Sequence, residues 1–356
     1  MKILHAADLH LDAPLSGFPG ETAAWLRREM LALPGKIGEL CRKQECDMLL
    51  LAGDLFDGKA SREAVQALAS ALEEVKVPVF ISPGNHDFSG PESLWMTEVW
   101  PENVHIFKKP AVKSVALPEL DCRVYGAGFP SMDCPPLLEH FSRQGSEKYH
   151  IGIFHGDATQ RNSPYNPITQ PQVAASGLDY LALGHIHKTG SFTAGATLCA
   201  WPGCPMGHGF DETGEKGVLL VQLEEQAAVR FLPLKTPRFY DLEAMVLTTA
   251  QEAVKSVLPG GGSTDFYRVT LTGESEKIDL PALRRTLEHY PNLERRDKTR
   301  PAADVWLAVG EDSLEGIYFR MLRQAMENGD EASRQTALLA ARISRTILDG
   351  GEVVLP

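Results

Sequence analysis

Five short runs carry the residues in this chain that could do chemistry. They are Asp8-Leu9-His10, Gly53-Asp54-Leu55-Phe56-Asp57, Gly84-Asn85-His86-Asp87, His155-Gly156-Asp157 and Gly184-His185-Ile186-His187. Each follows directly on an apolar stretch, so each side chain is expected where a buried strand ends and a loop begins. In open α/β sheets, ligand sites lie at that carboxyl edge. The imidazoles of His10, His155, His185 and His187, the amide oxygen of Asn85 and the carboxylates of Asp8 and Asp54 suit borderline divalent cations. Mn²⁺ comes first among these, with Fe²⁺, Co²⁺ and Zn²⁺ as alternatives. No thiolate joins the set, which argues against a structural zinc.

Seven groups exceed the needs of one tetrahedral site. With Asp54 as the shared carboxylate they fit two ions roughly 3.5–4 Å apart, an arrangement suited to in-line displacement at phosphorus by water. No protein nucleophile is required, and no Gly-x-Ser-x-Gly run or reactive cysteine context offers one. His86, beside Asn85, is placed to stabilise developing charge or to protonate a leaving alkoxide. Any one of these motifs alone would more often be structural. Five of them in order, each ending an apolar strand, point to a site. His5, His105, His140, His150 and His289 read as ordinary core or surface histidines. His208, in the turn Gly207-His208-Gly209 after the last pair, is the one worth testing.

The elements that must position these groups are legible from hydrophobic pattern. Strands are expected at 2–7, 47–52, 77–81, 121–127, 149–154 and 180–183. Helices are expected at 22–45, re-started at Pro34-Gly35, and from Ser61, whose side chain suits an N-cap. The β-α-β-α-β order implies a mainly parallel sheet with right-handed crossovers. Residues 192–234 alternate short strands and turns and suggest a second, antiparallel sheet packed on the first. The polar stretch 158–171 reads as a rim loop.

At 356 residues the chain calls for more than one domain. The reading is a two-sheet α/β sandwich flanked by helices at 1–236, a small α+β domain at 237–310 and a helical C-terminal segment at 311–356. The second domain should hold strands at 240–247 and 266–271, helices at 249–257 and 281–289, and a flexible turn at 259–263. In the last segment Leu314, Ile317, Tyr318, Met321 and Leu322 form an apolar stripe that reads first as packing on the chain's own body. A second helix follows, with Leu339, Ile343 and Ile347 at helical spacing.

Composition is that of an ordinary globular protein, 43% hydrophobic and 23% charged. No apolar run approaches 18 residues, so no membrane span is indicated. The amino terminus is charged too early for a signal peptide, and the expected location is the cytoplasm. The six cysteines form no C-x-x-C pair and read as buried reduced thiols. A formal net charge of −12 argues against indiscriminate polyanion binding. One local basic cluster, Arg295, Arg296, Lys298 and Arg300, is the candidate nucleic-acid contact.

The five runs together resemble those of the calcineurin-like metallophosphoesterases over residues 1 to about 190. The resemblance implies that Asp8, His10 and His187 hold one metal, that Asn85, His155 and His185 hold the other, that Asp54 bridges them and that His86 is the transition-state histidine. The runs from Ala6 to Pro14, from Gly53 to Asp57 and from Pro202 to Gly217 are similar to the DNA repair exonuclease branch, the SbcD-type and YhaO-type proteins. That similarity implies DNA as substrate, a capping domain that contacts it, and a helical tail that docks an SMC-like coiled-coil ATPase. It also implies a homodimer through helices near 61–75 and 91–100. The expectation is therefore a Mn²⁺-dependent DNA exonuclease or endonuclease. The alternatives are a small-molecule (nucleotide) phosphodiesterase or phosphatase gated by its cap, and a scaffold subunit of an ATPase complex.

Overall fold

A computed structural model describes residues 1–259, 264–275, 278–300 and 305–350. The chain divides into two compact units, Met1–Arg238 and Phe239–Pro356.

The first unit opens with β1 (Lys2–Ala6), α1 (Gly20–Leu31) and α2 (Leu33–Lys43). The helix expected at 22–45 is thus two helices that meet at Ala32, with Pro34 in the first turn of the second, where its missing N–H costs nothing. β2 (Met48–Leu51), α3 (Arg62–Val75) and β3 (Val79–Ile81) follow. Ser61 caps α3 by accepting the Ala64 N–H at 3.1 Å. Next come the four-residue helix α4 (Leu94–Thr97), β4 (Val104–Ile106) and β5 (Lys113–Leu117). The last two strands had no sequence signal. They are edge strands, half-buried or exposed for most of their length, and lack the apolar density that marks a central strand.

β6 (Cys122–Gly126), β7 (Tyr149–His155), α5 (Gln170–Ser176), β8 (Tyr180–Gly184), β9 (Gly190–Ala194), β10 (Thr197–Trp201), β11 (Gly217–Leu223) and β12 (Ala227–Pro233) complete the unit. Two six-stranded sheets result, ordered β12-β11-β1-β2-β3-β4 and β5-β6-β7-β8-β10-β9. The centre of each is parallel and antiparallel pairing is kept to the edges. The expected separate antiparallel sheet over 192–234 is not what forms. β9 and β10 join the second sheet, whereas β11 returns beside β1 and extends the first. The pattern in β11 and β12 described strand pairing correctly but could not say which sheet received it.

The faces sort by the two-residue period of strands. Ile3, Met48, Leu50, Phe80, Val124, Ile151, Ile153, Tyr180, Ala182 and Val221 fill the space between the sheets. Leu4, Leu49, Leu51, Val79 and Ile81 face the other way, onto α2 and α3. His5 also lies within the sandwich, fully buried, its Nδ1 2.8 Å from the Tyr180 hydroxyl. All six cysteines are buried and free.

The second unit alternates β13 (Phe239–Val246), α6 (Ala250–Val257), β14 (Phe266–Gly273), α7 (Leu280–Thr286) and β15 (Leu293–Asp297). The three strands among its described residues are all parallel. The turn expected at 259–263 falls, beyond Pro259, outside the described residues. α8 (Leu314–Asn328) and α9 (Glu331–Leu348) pack on each other. Of the stripe expected to pack on the chain's own body, Leu322 does so, half-buried against the cluster of Ala308, Phe319 and Ala341, but Leu314 is 84% and Met321 66% exposed, and Ile317 and Tyr318 are exposed too. The buried face is the adjoining one, carried by Gly316 and Phe319, because Gly316 lets the helix approach the Glu311 carbonyl more closely than any side chain allows. No helix among the described residues is long and apolar enough to cross a membrane.

Candidate metal centre

β1, β2, β3, β7 and β8 are parallel within their sheets, and their carboxyl ends bring the five runs together. The loops after β1 and β2 run side by side: the N–H groups of Asp8 and His10 donate to the carbonyls of Gly53 and Asp54, each at 3.0 Å. Asp8, His10, Asp54 and His185 all have positive φ (55°, 45°, 49° and 95°). Such conformations cost on the order of 1–3 kcal/mol each for side chains other than glycine and concentrate at functional sites. Space is equally constrained. A Cβ on Gly84 would lie 2.2 Å from Asp54 Oδ1, and one on Gly53 would lie 2.6 Å from His155 Nδ1.

Three groups of ligand atoms each lie within 4.8 Å of one another: Asp8, His10 and His187; Asp8, Asp54 and His155; and His10, Asp54 and His86. Asn85 adds its Oδ1, 2.9 Å from His155 Nε2. Asp54 stands in two of the groups, with Oδ2 3.2 Å from His155 Nε2 and 3.8 Å from His10 Nε2. Its Oδ1 accepts the His86 N–H at 2.9 Å. His185 is set apart from these tight groups. Its backbone N–H donates to Asp8 (2.9 and 3.1 Å), while its ring meets His155 edge-on at 5.3 Å and lies 3.9 Å from Asp157.

The donor set fits a cation on a structural test. His155 Nδ1 donates to the Ala52 carbonyl at 2.9 Å, so its neutral ring has only a lone pair at Nε2. That lone pair faces two oxygens, Asn85 Oδ1 and Asp54 Oδ2, and the arrangement is repulsive unless a positive charge sits among them. In the absence of a cation the ring itself takes up that charge. Against the cost of burial, the Asp54 carboxylate pulls His155 up to about 9. Burial also works against ionisation of Asp54, but the charges of His155 and His10 hold it well below the usual carboxylate range. Asp8, fully buried, is pushed up by desolvation. His185 falls to about 4, mainly through burial and the neighbouring His155 charge.

The sequence runs contain Asp57 and Asp87 but assign them no role, and they do not single out Asn166 or Glu212, yet all four support these groups. Asp57 Oδ1 lies 2.5 Å from His86 Nδ1 and 3.7 Å from His10 Nδ1. Asp87, buried, accepts N–H groups from Gly84 (2.7 Å) and Leu55 (2.8 Å) and so ties two site loops together. Asn166 donates to the His155 carbonyl at 2.8 Å. Glu212 touches both His187 and His208. His208, singled out in the sequence, sits at the rim, its ring 5.8 Å from that of His10.

The basic cluster lies in the second unit. Strand alternation sends Arg295 and Arg296 to opposite faces of β15. Arg295 is half-buried, and its charge is disfavoured first by burial and then by Arg284. Arg296 is exposed and paired with Glu294 at 2.8 Å; Lys298, just past the strand's end, and Arg300 are exposed.

Residues 1–189 match the calcineurin-like phosphoesterase family. Two relatives are similar along most of their length. YhaO of Bacillus subtilis, an uncharacterized metallophosphoesterase, is 29% identical over 338 residues, spanning 88% of this chain and 82% of that protein. The SbcD component of the SbcCD nuclease of Staphylococcus epidermidis is 23% identical over 329 residues, spanning 82% of this chain and 84% of that protein.

Proposed function

The chain belongs to the calcineurin-like phosphoesterase family and is thus a hydrolase of phosphoester bonds; on that premise we propose that it cleaves phosphodiesters of DNA with two divalent cations, Mn²⁺ first among them. The observation that carries this reading is the meeting of Asp8, His10, Asp54, Asn85, His155 and His187 in overlapping groups, two of which share Asp54. When bound, the cations would supply Lewis acidity toward a phosphoryl oxygen and toward the water that attacks it. Asp8, His10 and His187 would hold one ion, and Asn85, His155 and His185 the other, with Asp54 shared between them. The Ala52 carbonyl keeps the His155 Nε2 lone pair available, and Asp57 keeps His86 Nδ1 occupied, which leaves His86 Nε2 for the leaving oxygen.

DNA is favoured over a small nucleotide by the SbcCD relative and by room beside the site. A cavity of about 1210 Å³ opens at His86, lined by Lys59, Arg62 and Phe88 and also by Glu92 and Glu98. In this reading Lys59 and Arg62 would meet a phosphate and Phe88 a base flanking the scissile bond, with the two glutamates offsetting part of that charge. The relative is named as one part of a two-part nuclease, and α8 leaves Leu314, Ile317 and Met321 exposed. We take that face to dock an SMC-like ATPase, with Phe239 onward forming the DNA-contacting cap and tail. The protein should act in the cytoplasm in DNA repair, as a homodimer. The test is a Mn²⁺-loaded preparation given a defined DNA hairpin and, separately, bis-p-nitrophenyl phosphate. Cleavage of both supports the reading; cleavage of the small diester with DNA untouched at every salt concentration rejects DNA as substrate.

A further inference from the structure

Glu212 stands on the Nδ1 side of His187, in the turn between β10 and β11, with a side chain only 12% exposed. Its Oε1 accepts the Nδ1–H of His187. Its Oε2 accepts the backbone N–H of His208 at 2.7 Å and lies 3.0 Å from His208 Nδ1. An ionised carboxylate can only accept hydrogen bonds, so both rings must carry their proton on Nδ1. For His187 the consequence is direct. Its Nε2, 3.1 Å from His10 Nε2, is left with a lone pair aimed into the group that also contains Asp8. His208 offers two donors to one oxygen and so keeps Glu212 turned toward His187. Lys216, donating to the His187 carbonyl at 3.3 Å, braces the same loop from behind.

We propose that Glu212 is a positioning residue for the metal centre: it locks His187 in the tautomer whose Nε2 can bind a cation, and His208 anchors Glu212 in that task. The proposal rests on the reading that Asp8, His10 and His187 hold a divalent ion. His187, Cys204 and Glu212 also lie within 4.8 Å of one another and form a rival cation site. The geometry disfavours that alternative, because the Nδ1–H of His187 is already committed to Glu212 and the Cys204 thiol donates to the His187 carbonyl at 3.7 Å.

Glu212→Gln is close to isosteric and tests the tautomer itself. The amide oxygen stays with the two hydrogens of His208, and the NH₂ turns to His187. The ring must then accept at Nδ1 and carry its proton on Nε2, where it blocks coordination. Metal-free protein would be titrated with Co²⁺ and followed by calorimetry and by the visible d–d bands. Wild type should bind two ions; E212Q should keep one and bind the other about 10–100-fold more weakly, with altered bands and an unchanged Tm of the metal-free form. His208→Ala should give a smaller loss, since the backbone N–H of residue 208 remains. Identical affinities and spectra in wild type and E212Q overturn the proposal while leaving the metal reading intact. Failure of wild type to bind Co²⁺ removes the metal reading as well. A third ion per wild-type chain, lost in Cys204→Ser, would make Glu212 a ligand and overturn the proposal. Should E212Q not fold, long-range ¹H–¹⁵N spectra of zinc-loaded wild type decide: a His187 proton on Nδ1 supports the proposal, and one on Nε2 refutes it.

Discussion

Oδ1 of Asp57 lies 2.5 Å from Nδ1 of His86 and 3.7 Å from Nδ1 of His10, so one partly buried carboxylate orients a ring at the heart of the centre and another at its mouth. The neighbouring imidazoles of His10 and His86 hold Asp57 below the ordinary carboxylate range in spite of its partial burial. It is therefore ionised, and it leaves Nε2 of His86 as the free nitrogen of that ring.

If His86 protonates the leaving oxygen, Asp57→Asn and His86→Ala should slow diesters with alkyl leaving groups far more than those with p-nitrophenolate, which leaves without help. The expected loss is about 10²–10⁴-fold for H86A on the alkyl ester and smaller for D57N, mainly in kcat. Steady-state kinetics across a leaving-group series measure it. An equal loss for good and poor leaving groups would assign His86 to charge stabilisation instead.

Gly84→Ala should damage the centre without touching a ligand. The added methyl would lie 2.2 Å from Asp54 Oδ1, and the carboxylate or the loop must move. Overpacking of this kind costs about 1–3 kcal/mol. The Tm should fall and at least one metal affinity should weaken. Metal titration and calorimetry of the variant check both.

These two positions show how far the sequence reached. Strand ends followed by Asp, Asn or His were visible because a buried strand is an apolar run and its end is where polarity returns. The support around them was not, since Asp57 and Asp87 close two of the runs and Asn166 lies in a loop with no local sign of the groups they meet once the chain folds back. Glu212 was partly legible, in the run from Pro202 to Gly217, but nothing local says that it meets His187 from 25 residues away. The placement of β11 beside β1 was likewise a tertiary choice, as was the exposure of Leu314 and Met321 on a helix whose stripe read as core.

His5 should make the fold acid-sensitive. It is fully buried between the sheets, and burial depresses its pKa to about 3. The unfolded chain takes up this proton near pH 6.5 while the folded one does not. The stability contributed by neutral His5 is therefore complete above about pH 6.5 and is lost as pH falls toward 3, by up to roughly 3–5 kcal/mol. Urea unfolding of the metal-free protein at about pH 7.5 and about pH 5 should show the drop. The double variant His5→Leu, Tyr180→Phe, which removes both hydrogen-bonding partners, should show a shallower pH dependence than wild type.

The basic residues of the second unit should not behave alike. Replacing Arg296 or Lys298 with Ala should weaken DNA binding and lower the salt slope by about 1 for each phosphate no longer neutralised. Arg295, half-buried on the other face of β15, should leave the slope unchanged when replaced. Fluorescence anisotropy over a salt series distinguishes them, and equal effects at all three positions would rule out a one-sided DNA-binding face.

Whether one carboxylate serves two cations is decided by Asp54→Asn. The amide keeps the side chain's shape and removes the charge whose two oxygens face His155, His10 and the His86 N–H. Metal content and phosphodiesterase rate should be measured on the same Mn²⁺-loaded samples. A shared carboxylate requires two ions per wild-type chain, at most one in D54N, and a rate lower by at least about 10³-fold, on the scale of several kcal/mol of lost transition-state stabilisation. A D54N protein that holds two ions and works at the wild-type rate would refute the bridge.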